Sequence, residues 1–181
     1  MTLKIVSATS QLHKQFQEQL FEIYFESSAN DYHEQFLDLE KENKHLKDLI
    51  QNENCLFAIE ENYLRGFLFS KPLIKDRFLP NEIQEKFDIN KSYYIAEMAI
   101  EKKHRNQGIG TQLIKYLFNN LDKNKYSHLF VAGWTQNTPA INLYQKLNFK
   151  PITKVRQEKI RKDQSGTFSI NKLYLVRNIP I

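Results

Sequence analysis

The sequence predicts a mixed α/β domain: one mixed sheet of about seven strands with helices on both faces. Two patterns predict it. Apolar residues recur at helical spacing in four segments, and elsewhere they gather in short β-branched and aromatic runs bounded by turn residues. The two kinds of segment alternate along 181 residues without internal repeats or low-complexity stretches, a length that suits a single domain spanning 1–181. A composition of 41% hydrophobic and 26% charged residues is that of a folded chain rather than a disordered one.

Each element has a local cause. Leu3 to Val6 reads as a first strand. Leu12, Phe16, Leu20 and Tyr24, flanked by Phe21 and Phe25, then recur at near-four spacing and predict a helix. Ser27-Ser28-Ala29-Asn30 is expected to break it, and Asp31 to cap a second helix carrying Tyr32, Phe36 and Leu39 and running on to Leu46, Leu49 and Ile50. Cys55–Ile59 and Leu64–Phe69 read as a hairpin turning at Glu61-Asn62. Lys71–Lys91, with Pro72 and Pro80, reads as a long connection holding a short helix at Asn81–Phe87, and long connections in compact domains are often functional. Tyr93–Ile100 is the next strand. The helix Ile109–Leu121 follows it, then the strand Ser127–Trp134, the helix Pro139–Leu147, and two final strands, Pro151–Ile160 and Phe168–Ile179.

Bulk properties exclude several classes. No apolar run approaches the roughly 20 residues that span a bilayer. The first ten residues lack the apolar centre of a signal peptide. A single cysteine, Cys55, allows no intrachain disulfide, and a cytoplasmic location is the expectation. The net charge of +5 is spread among 21 acidic residues, which argues against the basic stripe of a nucleic-acid binder. His33, His45, His104 and His128 have no metal-ligand spacing, so no metal is expected.

Chemistry concentrates at Arg105-Asn106-Gln107-Gly108-Ile109-Gly110, between a strand and a helix. A glycine-spaced turn there leaves main-chain N–H groups facing outward at a positive helix end, which suits a phosphate. Gly108 and Gly110 let a ligand approach the main chain, and Arg105 adds a guanidinium fork. Ile109, Leu113, Leu117 and Leu121 make the stripe that holds this helix on the sheet. About thirty residues on, Asn137 to Phe149 forms a second block. There Thr138 is the expected cap and Pro139 the first helical residue, while Ala140, Leu143, Tyr144 and Leu147 share a face. Asn148 can take the left-handed conformation that ends the helix.

Together the two blocks resemble the GNAT superfamily of acyl-CoA-dependent N-acetyltransferases. The strand–R/Q-x-x-G-x-G/A–helix block matches Glu97-Met98-Ala99-Ile100 through Arg105 to Gly110. The N-x-x-A-x-x-L-Y-x-x-x-G-F block matches Asn137, Ala140, Leu143, Tyr144 and Phe149, with Asn148 in the glycine position. Lys102 stands where proline is common.

The resemblance implies a GNAT-like domain with a mostly antiparallel sheet. It also implies acetyl-CoA as co-substrate and transfer of its acetyl group to a primary amine of a small molecule or peptide. The diphosphate would lie on the N–H groups of Gln107, Gly108, Ile109, Gly110 and Thr111, with Arg105 and Asn106 at its edge. Main chain from Met98 through Ala99 to Ile100 would pair with the pantetheine arm, and Asn137 would touch the cofactor from the second block. Glu97 is the expected base and Tyr144 the acid for the departing thiolate. Apart from the resemblance, Glu97 can be read as a surface or salt-bridged carboxylate or as a group that only orients substrate, and Tyr144 as a core aromatic with its hydroxyl satisfied.

Trp134 is a candidate for lining the acceptor site, Cys55 reads as packing, and the acceptor is expected to be chosen by Phe25–Phe36 and the Lys71–Lys91 connection, which carry Tyr24, Tyr32, His33, Asp76 and Glu82 between them and their flanks. The alternative function is a non-catalytic acyl-CoA-binding or protein-interaction module of the same fold; on either reading a monomer or homodimer is expected.

Overall fold

Alternating burial along the strands and apolar stripes on the helices assemble one seven-stranded sheet. The computed structural model describes residues 2–31, 35–76 and 78–180, with the main chain alone at 28–31. In order come β1 (Lys4–Ser7), α1 (Ser10–Gln15), α2 (Gln17–Asp31), α3 (Leu39–Asn52), β2 (Asn54–Glu60), β3 (Tyr63–Pro72), α4 (Asn81–Lys86), β4 (Ser92–Ile100), α5 (Ile109–Asn120), β5 (His128–Trp134), α6 (Thr138–Lys146), β6 (Lys150–Ile160) and β7 (Thr167–Asn178). The spatial order is β1-β2-β3-β4-β5-β7-β6, and every neighbouring pair is antiparallel except β4 with β5.

Two layers of helices cover the sheet. On one face Ile109, Leu113, Ile114 and Leu117 of α5 and Tyr144 of α6 pack onto Ile95, Leu129 and Val131. On the other, Leu20 and Tyr24 of α2 and Leu46 of α3 pack onto Phe57, Phe67 and Phe69, while Ile83 of α4 packs with Tyr94, Phe130 and Tyr174. Burying each such Leu, Ile or Phe contributes roughly 1.5–3 kcal/mol, so α5 is held firmly and its first turn is fixed beside β4. At the β2–β3 hairpin Glu61 and Asn62 both have positive φ, 50° and 64°, the conformation favoured in two-residue loops.

Four local expectations are corrected. The segment Ser27–Asp31 does not break a helix: α2 runs through it to Asp31, because weak helix formers are carried along by a helix whose face is already packed. Asp38, not Asp31, caps the next helix, its carboxylate accepting from the Lys41 N–H at 3.2 Å. Phe36 lies outside that helix and its N–H donates to the Ile160 carbonyl at 2.9 Å; Tyr32 and His33 lie outside the described residues. Likewise α6 is capped by Asn137 rather than Thr138, through a 3.2 Å bond from the Ala140 N–H. Asn148 ends α6 with φ 64°, as its position predicts.

Candidate active site

A single irregularity in β4 prepares the site. Phe69 pairs with Glu97 and Ser70 with Ile95, so Ala96 is the extra residue of a bulge. The bulge shifts the alternation by one. Ile95, Met98 and Ile100 pack toward α5, leaving Glu97 and Ala99 on the opposite face.

Beyond the bulge β4 parts from β5. Their parallel pairing runs only from Ser92–His128 to Ile95–Val131, while β3 continues to pair with β4 and β7 with β5 out to Trp134. The V-shaped opening is a cavity of about 910 Å³. Glu97, Met98, Ala99 and Ile100 form one wall, and Ala132, Gly133 and Trp134 the other. Arg105, Asn106, Gly108, Ile109, Gly110 and Thr111 line it from the turn and first turn of α5, and Asn137 and Tyr144 from the α6 block.

The glycine turn is built for close approach. Asn106 and Gly108 are left-handed, with φ 62° and 82°. A Cβ on Gly108 would meet no protein atom within 4 Å, so the space beside it is open. A Cβ on Gly110 would stand 3.0 Å from the Leu143 side chain and 3.6 Å from Met98, so α5, α6 and β4 meet there as tightly as a glycine allows. The first α5 bond joins the Gln112 N–H to the Gly108 carbonyl at 3.0 Å, and the N–H groups of Ile109, Gly110 and Thr111 precede it without an intrahelical acceptor.

The side chains around the turn are largely engaged with the protein. The Arg105 guanidinium donates to the Ile100 carbonyl at 3.2 Å and to Ser27 at 3.4 Å, tying the turn to β4 and α2. Gln107 is outside the cavity wall, its amide donating to the Lys103 carbonyl at 3.1 Å. Glu101 accepts from Arg65 at 3.0 Å and stands 2.8 Å from both Lys103 and His104.

Tyr144 is buried at 6% exposure, its ring 6.0 Å from Phe149 and its edge close to Gly133. Glu97 and Tyr144 share a neighbourhood with Tyr94. Burial first, then the charges of Tyr174, Asp76, Glu97 and Tyr144, raise the Tyr94 hydroxyl well above its ordinary pKa. Cys55 is buried in β2, and burial pushes its thiol up, which suits packing and not nucleophilic chemistry.

The residues expected to choose an acceptor line the cavity only in part. Ser27 of α2 and Trp134 do line the cavity, but among the described residues the 71–91 connection contributes nothing to its wall. Tyr24 instead donates to Glu42, and Glu82 pairs with Lys86 at 2.6 Å. Among the described residues, Gln157 and Lys159 of β6 and Ile170 and Lys172 of β7 join that wall. These residues carry no short motif; the sequence signal for them was the final hairpin itself, whose neighbours in space are set by long-range pairing.

A bulged strand, a splayed parallel pair and a glycine turn opening a helix define the N-acetyltransferase-like class of α/β folds. The match to known families agrees: residues 17–149 fit the Acetyltransferase (GNAT) family, and the chain belongs to it. It is 30% identical over 89 residues to an N-alpha-acetyltransferase 60 of Drosophila melanogaster, a match covering 48% of this chain and 30% of that protein. It is 29% identical over 97 residues to an N-alpha-acetyltransferase of Saccharolobus solfataricus, covering 52% of this chain and 55% of the relative. Thus the matches span from under a third to about half of these relatives' own lengths. A Salmonella typhimurium structure described as a putative acetyltransferase, yncA, with its cofactor acetyl-CoA, superposes with a TM-score of 0.69 at 13% identity, covering 100% of this chain and 96% of that one. At that identity the likeness speaks to the fold.

Proposed function

We propose that the chain is an acetyl-CoA-dependent N-acetyltransferase that acts on a primary amine of a small molecule or peptide by direct attack in a ternary complex. One observation carries this reading: the glycine turn, Glu97 and Tyr144, from three separate segments, line one cavity between parted strands. The names of the relatives support the same chemistry.

The donor fits the residues present. Open space beside Gly108 and the first-turn N–H groups of α5 suit a diphosphate, and no side chain intrudes there. Edge main chain at Met98–Ile100, unpaired on its β5 side, suits an extended amide-bearing arm laid alongside as an added strand. Asn137 uses its side-chain oxygen to cap α6, which leaves its NH₂ group as the donor for the cavity.

Acetyl-CoA supplies an activated thioester carbonyl. A main-chain N–H near Met98 or Ala99 steadies the oxyanion as the amine attacks. An alkyl ammonium has a pKa of about 10.4, so it must be deprotonated first. Glu97 takes that proton through water. The nitrogen–carbon bond forms as the carbon–sulfur bond breaks. Of the two protons the ammonium gives up, one ends on sulfur by way of the Tyr144 hydroxyl and one leaves through Glu97 to solvent. A thiol pKa of about 8.5 makes sulfur a fair leaving group, so Tyr144 assists the step without carrying most of it.

Free thiol released from acetyl-CoA in the presence of amines tests the proposal. Tyr144→Phe should lower kcat by about ten- to a hundredfold with coenzyme A affinity unchanged. Equal turnover in the variant would remove Tyr144 from the acid role.

A further inference from the structure

The acceptor end of the cavity carries a charge pattern that selects among amines, an inference that rests on the acetyltransferase reading above. Lys172 lies directly across from Trp134, at the tip of β5, and across from Val155 on β6. Two residues along β7 is Tyr174, which belongs to the apolar cluster beneath α4, on the sheet face away from α5 and α6. Lys172 therefore projects on that face, the one onto which the β4 bulge also turns Glu97. Gln157 and Lys159 share it, since Gln157 pairs with Ile170 and Lys159 with Phe168.

Two ammonium groups of the final hairpin thus line the cavity, Lys172 across from the tip of β5 and Lys159 farther along toward the hairpin turn. Neither has a carboxylate within 4.0 Å among the described residues. Lys172 lies over the Tyr174 ring at 5.9 Å. Burial lowers its pKa; Glu97 and Asp76 oppose that at longer range, while Lys159 and Lys71 reinforce it. Glu97 and Asp76 thus act on Lys172 more strongly than the two lysines do, yet from beyond contact distance, so among the described residues its ammonium has no carboxylate in direct contact.

We propose that the acceptor is a small amine bearing a carboxylate close to the reacting nitrogen, a free amino acid being the simplest case. Its amine faces Glu97 and Tyr144, and its carboxylate pairs with Lys172 while Lys159 adds positive potential at the mouth. The substrate carboxylate supplies the contacting partner that neither Glu97 nor Asp76 provides to Lys172. A diamine or other polycation would set a second positive charge against Lys172, and an amide would leave the ammonium unpaired. The same pairing orients the substrate, because one charged contact and one reacting nitrogen fix the line of approach to the acyl carbon.

The test compares initial rates of thiol release with free α-amino acids, the matching α-amino amides and simple alkyl diamines, after coenzyme A binding has been measured separately by calorimetry. Amino acids should exceed their amides in kcat/KM by at least about tenfold, as expected for a charge-assisted hydrogen bond. Lys172→Gln should erase that preference mainly through acceptor KM, with coenzyme A affinity unchanged, and Lys172→Arg should keep it. Amides or diamines used as well as the acids would overturn the assignment, as would a preference that survives Lys172→Gln, or coenzyme A binding with no amino acid acetylated. Absence of coenzyme A binding would strike at the acetyltransferase reading itself.

Discussion

Glu97 illustrates how one residue's chemistry depends on its backbone. Regular alternation along β4 would aim it toward α5; the extra residue Ala96 turns it to the opposite face of the sheet, near Lys172 and Tyr94. Glu97→Gln keeps the shape and removes the proposed base. Activity at pH 7 should drop by about a hundredfold and recover partly as pH approaches the amine's own pKa, where free amine no longer needs a base. A pH–rate profile measures this; parallel profiles for the two proteins would assign Glu97 to positioning alone. The identity of Glu97 was legible in the sequence because it adjoins a recognisable block. Its direction was not, since a bulge leaves no mark in a period-two pattern.

At the scale of elements, the caps decide where helices begin. Asp38 holds the first turn of α3, whose Leu46 and Leu49 cover the Phe57–Phe67–Phe69 face. Asp38→Ala should loosen the start of α3 and lower Tm by roughly 2–4 °C, read by calorimetry or circular dichroism. An unchanged Tm would show that packing alone sets this helix start. The strand–turn–helix block around Gly108 and the α6 block were readable because each is local, with glycine, capping and apolar spacing all within about a dozen residues. The passage from α2 to α3 was misread for the opposite reason. Its Ser-Ser-Ala-Asn run states only a weak preference, which the packed face of α2 outweighs.

The whole molecule is organised by strands that part. Because β4 and β5 pair over four residues and then diverge, the sheet holds a cavity without interrupting its outer strands. The order of elements, and hence the sheet, could be foreseen from alternating patterns. The cavity's far wall could not, for Gln157, Lys159, Ile170 and Lys172 meet β4 only through the pairing of β7 with β5. Global stability carries its own prediction. Burial lowers the pKa of His13 and His128, with Asp88 partly opposing the shift at His128. As pH falls through about 6.5, the unfolded chain binds protons that the folded one does not, so stability should fall until pH passes the lowered folded values, then lose this contribution to the slope. Urea unfolding across pH 5 to about 8 checks it. The slope should shrink when His13 and His128 are both replaced by Gln, and a slope unaltered by that replacement would contradict the assignment.

The most direct measurement is a calorimetric titration of the folded protein with coenzyme A, repeated with the Gly108→Asp variant. One-to-one binding is expected, weakened by about tenfold or more once a carboxylate stands at the first turn of α5. No heat from the wild type, or equal affinity in a variant shown to be folded, would contradict the claim that this turn holds the nucleotide's diphosphate.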